Sequence, residues 1–225
     1  MYDRGVRVLV DAVFTVLVIV LAALVAWRRQ RWVSVALAGW LVLLAVLAYR
    51  GFFLDFTAMP PRVALALVFP LVVGLLLLPT HGTRHYLAVT PPAWLVYTQS
   101  FRVVMELILF ALAAQGRVPT LITFEGRNVD ILVGLTALPV GYFAVSRRRW
   151  PRWIAIVWNA AGVAILANVV FHAQLAAPTP YRLFVTEPST ALLATAPYIW
   201  LPGFLVPLAL WLHAASLLQL RLRRV

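Results

Sequence analysis

Three polar side chains lie on one face of a long apolar segment near the middle of the chain. Gln99, Arg102 and Glu106 fall within an arc of about 60° on an α-helix. Ionised groups inside a bilayer cost about 2.5–3.5 kcal/mol each, so they must face protein or water. Their i,i+4 spacing allows Arg102 and Glu106 to pair. The pair is either a structural bridge or a site where Arg102 binds an anion and Glu106 a cation or proton.

A second group of polar residues precedes the next apolar segment. Gly126 allows a turn, Asn128 is a good helix N-cap, and Asp130 in the first turn complements the helix dipole. A well-made helix start explains much of this pattern. A helix cap needs only one acidic or amide group, however, so Glu125, Arg127 and Asp130 are more than the cap requires.

Asn168 and His172 lie one turn apart on a later apolar segment. Each could simply bond a neighbouring helix, or both could extend the polar site around Glu106. We expect one cavity that opens to the outer face. Its predicted ligand-binding residues are Gln99, Arg102, Glu106, Glu125, Arg127, Asn128, Asp130, Asn168 and His172.

The sequence predicts neither a metal ion nor a cofactor. It contains no cysteine and no lysine, which excludes thiolate metal sites and Schiff-base cofactors. Its four histidines occupy unmatched depths along the apolar segments, which argues against a bis-histidine haem. No Ser-His-Asp arrangement can be assembled, so catalytic residues stay unknown and an enzyme is not favoured.

Composition determines the class of protein. Of 225 residues, 64% are hydrophobic and only 12% are charged, with a formal net charge of +12. A soluble domain is about half apolar and one quarter charged. A soluble enzyme, a disordered chain and a nucleic-acid partner are therefore excluded, and a membrane protein is indicated.

Seven apolar segments are long enough to cross a bilayer. Backbone amides cannot remain unpaired in hydrocarbon, so each segment should be a helix. We predict an all-α, polytopic integral membrane protein that forms a single transmembrane domain over residues 1–225. The predicted spans are residues 8–27, 32–50, 62–80, 92–115, 129–146, 152–173 and 197–219.

The distribution of charge predicts orientation. One side carries eleven arginines and no acidic residue, whereas the other carries seven arginines and five acidic residues. The positive-inside rule therefore predicts an outside N-terminus and a cytoplasmic C-terminus. The eleven arginines are Arg28, Arg29, Arg31, Arg84, Arg147, Arg148, Arg149, Arg152, Arg221, Arg223 and Arg224.

The first three and the last three spans share features. An Arg-Trp pair precedes or opens the second and sixth spans at residues 31–32 and 152–153. Pro70 and Pro207 interrupt the third and seventh spans. These features fit a parallel 3+1+3 repeat of the kind found in some transporters. They also fit the basic and aromatic helix ends that recur in any membrane protein.

Several stretches resemble a family of small bacterial integral membrane proteins. One is Gln-Ser-Phe-Arg with a Glu four residues after the Arg, at residues 99–106. Another is Thr-Phe-Glu-Gly-Arg-Asn-x-Asp-Ile-Leu-Val-Gly, at residues 123–134. A Pro- and aromatic-rich stretch at residues 197–207 leads into a His-x-x-Ser helix end. The resemblance implies a multi-pass protein of a bacterial inner membrane and no particular chemistry.

Three functions are compatible with these residues. A small-solute or proton-linked transporter, or solute-binding protein, is slightly favoured by seven spans and the charged pair near mid-depth. An enzyme or lipid-binding protein would use the outer Glu, Asp and His side chains. A non-catalytic subunit of a complex is the third. The expected partners are the lipid bilayer and a small solute or lipid, with a homo-oligomer left open.

Overall fold

All regular structure in the part of the chain that the structure describes is helical. The structure, a computed structural model, describes residues 4–27 and 31–222. Short 3₁₀ turns occur at Phe52–Leu54, Thr120–Ile122 and Thr190–Ala194. The helices are α1 Arg4–Ala26, α2 Arg31–Tyr49, α3 Arg62–Leu77, α4 His81–Val89, α5 Pro92–Ala114, α6 Ile131–Ser146, α7 Arg152–Leu175 and α8 Leu201–Leu222.

Five of these helices, α1, α2, α5, α7 and α8, are long and apolar enough to cross a membrane. The expected all-α class with membrane-length helices is therefore confirmed. α3 and α6 fall within the predicted spans 62–80 and 129–146 but are shorter. The arginines at positions 28, 29, 223 and 224, which contributed to the predicted orientation, lie outside the described residues.

α3 ends because the chain turns sharply after it. Pro79 has no backbone N–H with which to continue the helical hydrogen bonds, although Leu78 before it is still helical in conformation. The side chain of Thr80 then caps the next helix by accepting the backbone N–H of Thr83. α4 is consequently bent by 79° relative to α3. The predicted spans 62–80 and 92–115 leave α4 in a connecting loop.

α5 and α8 form the centre of the bundle. In their most apolar 18-residue windows, 56% and 61% of residues are buried, against 22% for α1 and α7. α8 packs against α3, α5 and α7, while α5 also packs against α1 and α6. The polar residues of α5 are therefore held inside the bundle.

α1, one of the outer helices, buries one face in the bundle and exposes its other faces. Its buried stripe of Val10, Phe14, Val18 and Leu21 follows helical periodicity and packs toward α5. Its other faces expose large apolar side chains, including Ile19, which is 58% exposed. An apolar outer face of this extent is typical of a surface that contacts lipid.

Pro207 leaves one backbone carbonyl of α8 without its usual helical donor, and a side chain from another helix donates to it instead. Proline has no N–H, so it cannot donate to the carbonyl of Gly203 four residues earlier. The indole Nε1 of Trp40 in α2 donates to this carbonyl at 2.9 Å. The first turns of α8, Leu201–Leu205, are π-helical, a deviation that proline-rich helices often show. α2 thus stabilises an irregular part of α8.

We predict that Trp40→Phe lowers the free energy of unfolding by about 1 kcal/mol, because a buried carbonyl loses its donor while the ring is largely kept. Unfolding by SDS in mixed micelles measures this change. Trp153→Phe is the matched control, since Trp153 is 61% exposed. Equal midpoints for both variants would show that the Gly203 carbonyl does not need Trp40.

Candidate functional site

The site depends on an unusually close contact between α5 and α6. A Cβ atom on Gly134 would lie 2.7 Å from Val103 Cγ2 and 2.8 Å from the Val103 backbone nitrogen. No side chain fits without moving the helices apart, so glycine allows α6 to approach this closely. The contact brings the first residues of α6 beside Arg102, one residue before Val103.

Arg102 forms a buried ion pair across this contact. Its Nη1 donates to Asp130 Oδ1 at 2.7 Å, and the two side chains are 2% and 9% exposed. The sequence spacing suggested Glu106 as the partner of Arg102, but no salt bridge joins them in the structure. Asp130 replaces Glu106 because the close packing of α6 delivers a carboxylate directly to the guanidinium.

Glu106 is instead held by Asn128. The Nδ2 of Asn128 donates to Glu106 Oε1 at 2.6 Å and to the carbonyl of Ile122 at 3.0 Å. Its Oδ1 accepts the backbone N–H of Asp130 at 2.9 Å, which closes a turn just before α6. Asp130, and not Asn128 as predicted, occupies the N-cap position of α6. Asn128 therefore joins the two carboxylates. We call this group the carboxylate cluster: Arg102, Glu106, Asn128 and Asp130.

Gly126 fits the predicted turn before this cluster. A Cβ atom there would lie 2.2 Å from the carbonyl oxygen of Thr120, which the backbone could not tolerate. The turn folds back so that the N–H of Asn128 donates to the carbonyl of Thr123 at 3.2 Å. Glycine at this position is thus a requirement for placing Asn128 next to Glu106.

Three further predicted residues form a neighbouring group that attaches the turn to α7. Asn168 Nδ2 donates to the carbonyl of Arg127 at 3.0 Å, and Arg127 Nη1 lies 3.5 Å from His172 Nε2. His172 stacks on Phe184 with ring centroids 5.2 Å apart. These contacts are sufficient to explain Arg127, Asn168 and His172 as structural residues.

The two remaining predicted residues have different environments. Glu125 is exposed on the turn and is not part of the cluster. Gln99 is fully buried in a short 3₁₀ segment that interrupts α5, and its Nε2 donates to the carbonyl of Ala209 in α8 at 3.0 Å. The nine predicted residues are therefore distributed over several environments.

An apolar cavity of about 90 Å³ adjoins the carboxylate cluster. It lies where α3 and α8 begin and α5 and α7 end, and its ionisable lining residues are Glu106 and Asp130. Gln99, Arg102 and His213 do not line it. Its apolar wall includes Val63, Leu67, Met105, Leu109, Leu166 and Leu201.

The carboxylate cluster contains two acidic side chains but only one basic side chain. Glu106 and Asp130 both adjoin the cavity, while one guanidinium, that of Arg102, faces Asp130 away from it. The second carboxylate oxygen of Glu106, Oε2, is buried without a hydrogen-bond partner. A buried acceptor of this kind is expensive unless a donor satisfies it. The arrangement can accept a hydrogen-bond donor, a cation or a proton.

Sequence reasoning missed a second ion pair. Asp11 of α1 accepts from Arg117 Nη1 at 2.7 Å and from the hydroxyl of Tyr198. The guanidinium of Arg117 also lies over the Tyr198 ring, 5.2 Å from its centroid. A signal was available, because Asp11 is a lone carboxylate within the first apolar segment. These contacts attach α1 to the segment that precedes α8.

The fold defines an all-helical protein with several membrane-length helices and a buried carboxylate cluster at the boundary of a small apolar cavity. The chain belongs to the DUF8737 family, a domain of unknown function, whose model matches residues 82–221. The match includes every residue of the cluster but none of α1–α3. No curated protein and no solved structure matches the chain.

We predict that Asp130→Asn destabilises the protein by about 3–5 kcal/mol, because it leaves the buried guanidinium of Arg102 without a counter-charge. Unfolding by SDS measures the loss. Asp55→Asn is the matched control, since it removes an exposed ion pair with Arg62 at 2.9 Å and should have little effect. Similar unfolding of the two variants would contradict a structural requirement for the buried pair.

Proposed function

We propose that the chain is a bacterial inner-membrane protein whose DUF8737 domain binds an amphiphilic, positively charged ligand. In this proposal the chain crosses the membrane seven times, with the N-terminus outside and the C-terminus in the cytoplasm. The seven spans are α1, α2, α3, α5, α6, α7 and α8. The bend before α4 supports this topology, because it allows α4 to lie along the membrane surface. α4 is amphipathic, burying Thr83 and Leu87 and exposing Arg84.

A 3+1+3 repeat is a weaker part of this proposal. Pro70 in α3 and Pro207 in α8 occupy corresponding positions in the two sets of three helices. Differences also exist, since α6 and α8 each contain a π-helical segment and the described parts of α1–α3 contain none. The topology does not depend on the repeat.

The topology can be tested with single cysteines, because the chain contains none. Glu125→Cys and Arg149→Cys both place a thiol at an exposed position. In intact cells, we expect a membrane-impermeant maleimide to label Glu125→Cys but not Arg149→Cys. Permeabilised cells should show labelling of both, which controls for reactivity. Labelling of Arg149→Cys alone in intact cells would invert the proposed orientation.

The observation that supports ligand binding is the composition of the cavity wall. Nearly all of the wall is apolar, and the charged residues on it are Glu106 and Asp130. Ligand sites typically combine an apolar cavity with a few polar groups that fix orientation. An alkyl chain would contact Leu109 and Leu166, and a donor on the ligand would bind the unpartnered Oε2 of Glu106.

The charges favour a cationic head group over an anionic one. Two carboxylates adjoin the cavity, and the guanidinium of Arg102 is already paired with Asp130. An anion would be repelled by Glu106, whereas an ammonium group would donate to it and balance its charge. We therefore propose an alkylamine-like ligand rather than a fatty acid.

The cavity has the size of a short alkyl chain. It measures about 90 Å³ on a scale where one water needs about 10–15 Å³. Several waters or a chain of a few carbons therefore fit, whereas a complete phospholipid does not. One chain of a longer ligand could enter while the rest remained in the bilayer.

Solute transport is the second candidate function. Buried polar residues continue beyond Arg102 to His213, Asn159 and Ser216, as a path through the bundle would require. The cavity itself does not reach them, since none of the three lines it. A cavity that stops short of these residues supports binding more directly than transport.

We expect Glu106→Gln to weaken the binding of octylamine at least about tenfold, because a hydrogen bond to a charged group contributes about 1.5–3 kcal/mol. Equilibrium dialysis of radiolabelled octylamine against protein in nanodiscs, corrected for empty nanodiscs, measures the dissociation constant. Octan-1-ol and octanoate should compete poorly. Glu125→Gln is the matched control, because this exposed carboxylate lies outside the cluster.

Filling the cavity gives an independent check on the same proposal. Leu166→Trp should prevent octylamine binding, whereas Leu135→Trp should not, because Leu135 is 56% exposed and does not line the cavity. Equal octylamine binding by Glu106→Gln and wild type, or tighter binding of octanoate, would overturn the cationic ligand.

A further inference from the structure

Three consecutive arginines lie on the turn between α6 and α7. We call residues 147–151 the arginine turn, and its arginines, Arg147, Arg148 and Arg149, are all exposed. None of the three forms an ion pair with a carboxylate in the described part of the chain. Like charges repel one another, so a turn that holds three of them together without a counter-charge is suited to an anionic partner.

Backbone hydrogen bonds and ring stacking define the shape of this turn. The N–H of Arg147 donates to the carbonyl of Tyr142 at 2.8 Å. The N–H of Arg149 donates to the carbonyl of Phe143, also at 2.8 Å. The ring of Trp150 stacks on that of Phe143 with centroids 5.2 Å apart. The three positive charges are therefore presented together by a turn of defined shape.

Arg148 adopts a backbone conformation that glycine adopts more easily. Its φ is +49°, and no other non-glycine residue among those described has a positive φ. Helices often end with a residue in the left-handed conformation, which is usually glycine because a Cβ atom is crowded there. The backbone therefore favours glycine at this position. An arginine that accepts this strain points to a role for its charge.

Exposed aromatic side chains adjoin the arginine turn. Tyr142, Trp150 and Trp153 are 40%, 38% and 61% exposed, respectively. Exposed Trp and Tyr at the ends of apolar helices are typical of the depth at which lipid head groups lie. Lipid phosphate groups lie at the same depth, so a phospholipid suits the turn better than a soluble polypeptide does.

Other elements bring positive charge to the same end of the bundle. Arg152 Nη2, at the start of α7, donates to the carbonyl of Leu220 near the end of α8. Gln219, one residue before Leu220, donates to the last residue of α4, and α4 exposes Arg84. None of the chain's seven acidic residues lies in residues 81–90, 147–153 or 216–222. These three neighbouring segments therefore carry basic residues and no acidic ones.

We infer that the arginine turn binds the head groups of anionic phospholipids. The guanidinium groups donate to phosphate oxygens, a pairing for which the planar, multi-donor geometry of arginine is well suited. The inference rests on one part of the proposed function, that the helices cross a bilayer. It depends neither on the cationic ligand nor on which end of the bundle faces the cytoplasm, so the octylamine experiments and the following one can fail independently.

Native mass spectrometry of the full chain in neutral detergent micelles, titrated with phosphatidylglycerol or phosphatidylcholine, tests the inference. We expect wild type to bind phosphatidylglycerol more tightly than phosphatidylcholine. Arg148→Gly should weaken phosphatidylglycerol binding about fivefold, the contribution of one arginine at an anionic surface, and should leave phosphatidylcholine binding unchanged. Because glycine suits the positive φ, this variant should resist SDS at least as well as wild type, so weaker binding would not reflect misfolding.

Two further variants serve as controls. Arg148→Lys keeps the charge and should retain most of the preference for phosphatidylglycerol. Arg50→Gln removes an exposed arginine elsewhere in the chain and should leave the preference unchanged. Equal affinity of wild type for the two lipids, or an equal loss in Arg50→Gln, would overturn the inference. Binding of a polyglutamate peptide that depends on Arg148, without any preference for phosphatidylglycerol, would overturn it in favour of an acidic polypeptide.

Discussion

The guanidinium of Arg102 is almost completely removed from solvent in the interior of an apolar bundle. Removing one partner of such a pair is far more costly than the pair is worth in net stability. Three features contribute to placing Asp130 next to Arg102: the contact at Gly134, the hydrogen bond from the Asp130 N–H to Asn128, and the turn at Gly126. The local geometry of α5 and α6 therefore follows from one buried charge.

The buried charge of Arg102 also fixes how α5 and α6 pack against each other. Apolar helices can slide and rotate against each other at modest cost, because lipid and leucine are equally apolar. An ion pair 2.7 Å long permits one register. The polar side chains of α7 and α8, Asn159 and Ser216, have a similar effect between those two helices. The bundle is fixed by a few polar contacts inside a largely apolar interface.

The strongest periodic and compositional signals in the sequence predicted the long helices well. The predicted span at residues 152–173 corresponds to Arg152–Leu175, because unpaired amides in hydrocarbon leave few alternatives to a helix. α4 was not predicted, although its cap at Thr80 is a local signal, because His81–Val89 is short and contains polar and charged residues. Hydropathy alone cannot identify a short helix of mixed polarity.

The candidate site was predicted only in part, for a physical reason. The four members of the carboxylate cluster were all selected, because each is polar within or beside an apolar segment. The partner of Arg102 was not, because the i,i+4 rule considers one helix only. Asp130 is 28 residues away in sequence and becomes a neighbour through the packing of α5 against α6. Asp11, Arg117 and Tyr198 join three distant segments and were missed for the same reason.

The residues that line the cavity come from two parts of the chain, one inside and one outside the segment that matches the family. Glu106 and Asp130 lie in the segment that matches the family, whereas Phe56, Val63 and Leu67 come from the residues before it. Substitutions at these three apolar positions would alter the length and width of the cavity without disturbing the buried ion pair. For the proposed ligand, recognition of the head group and selection of the alkyl chain are therefore separable, so either can change while the other is kept.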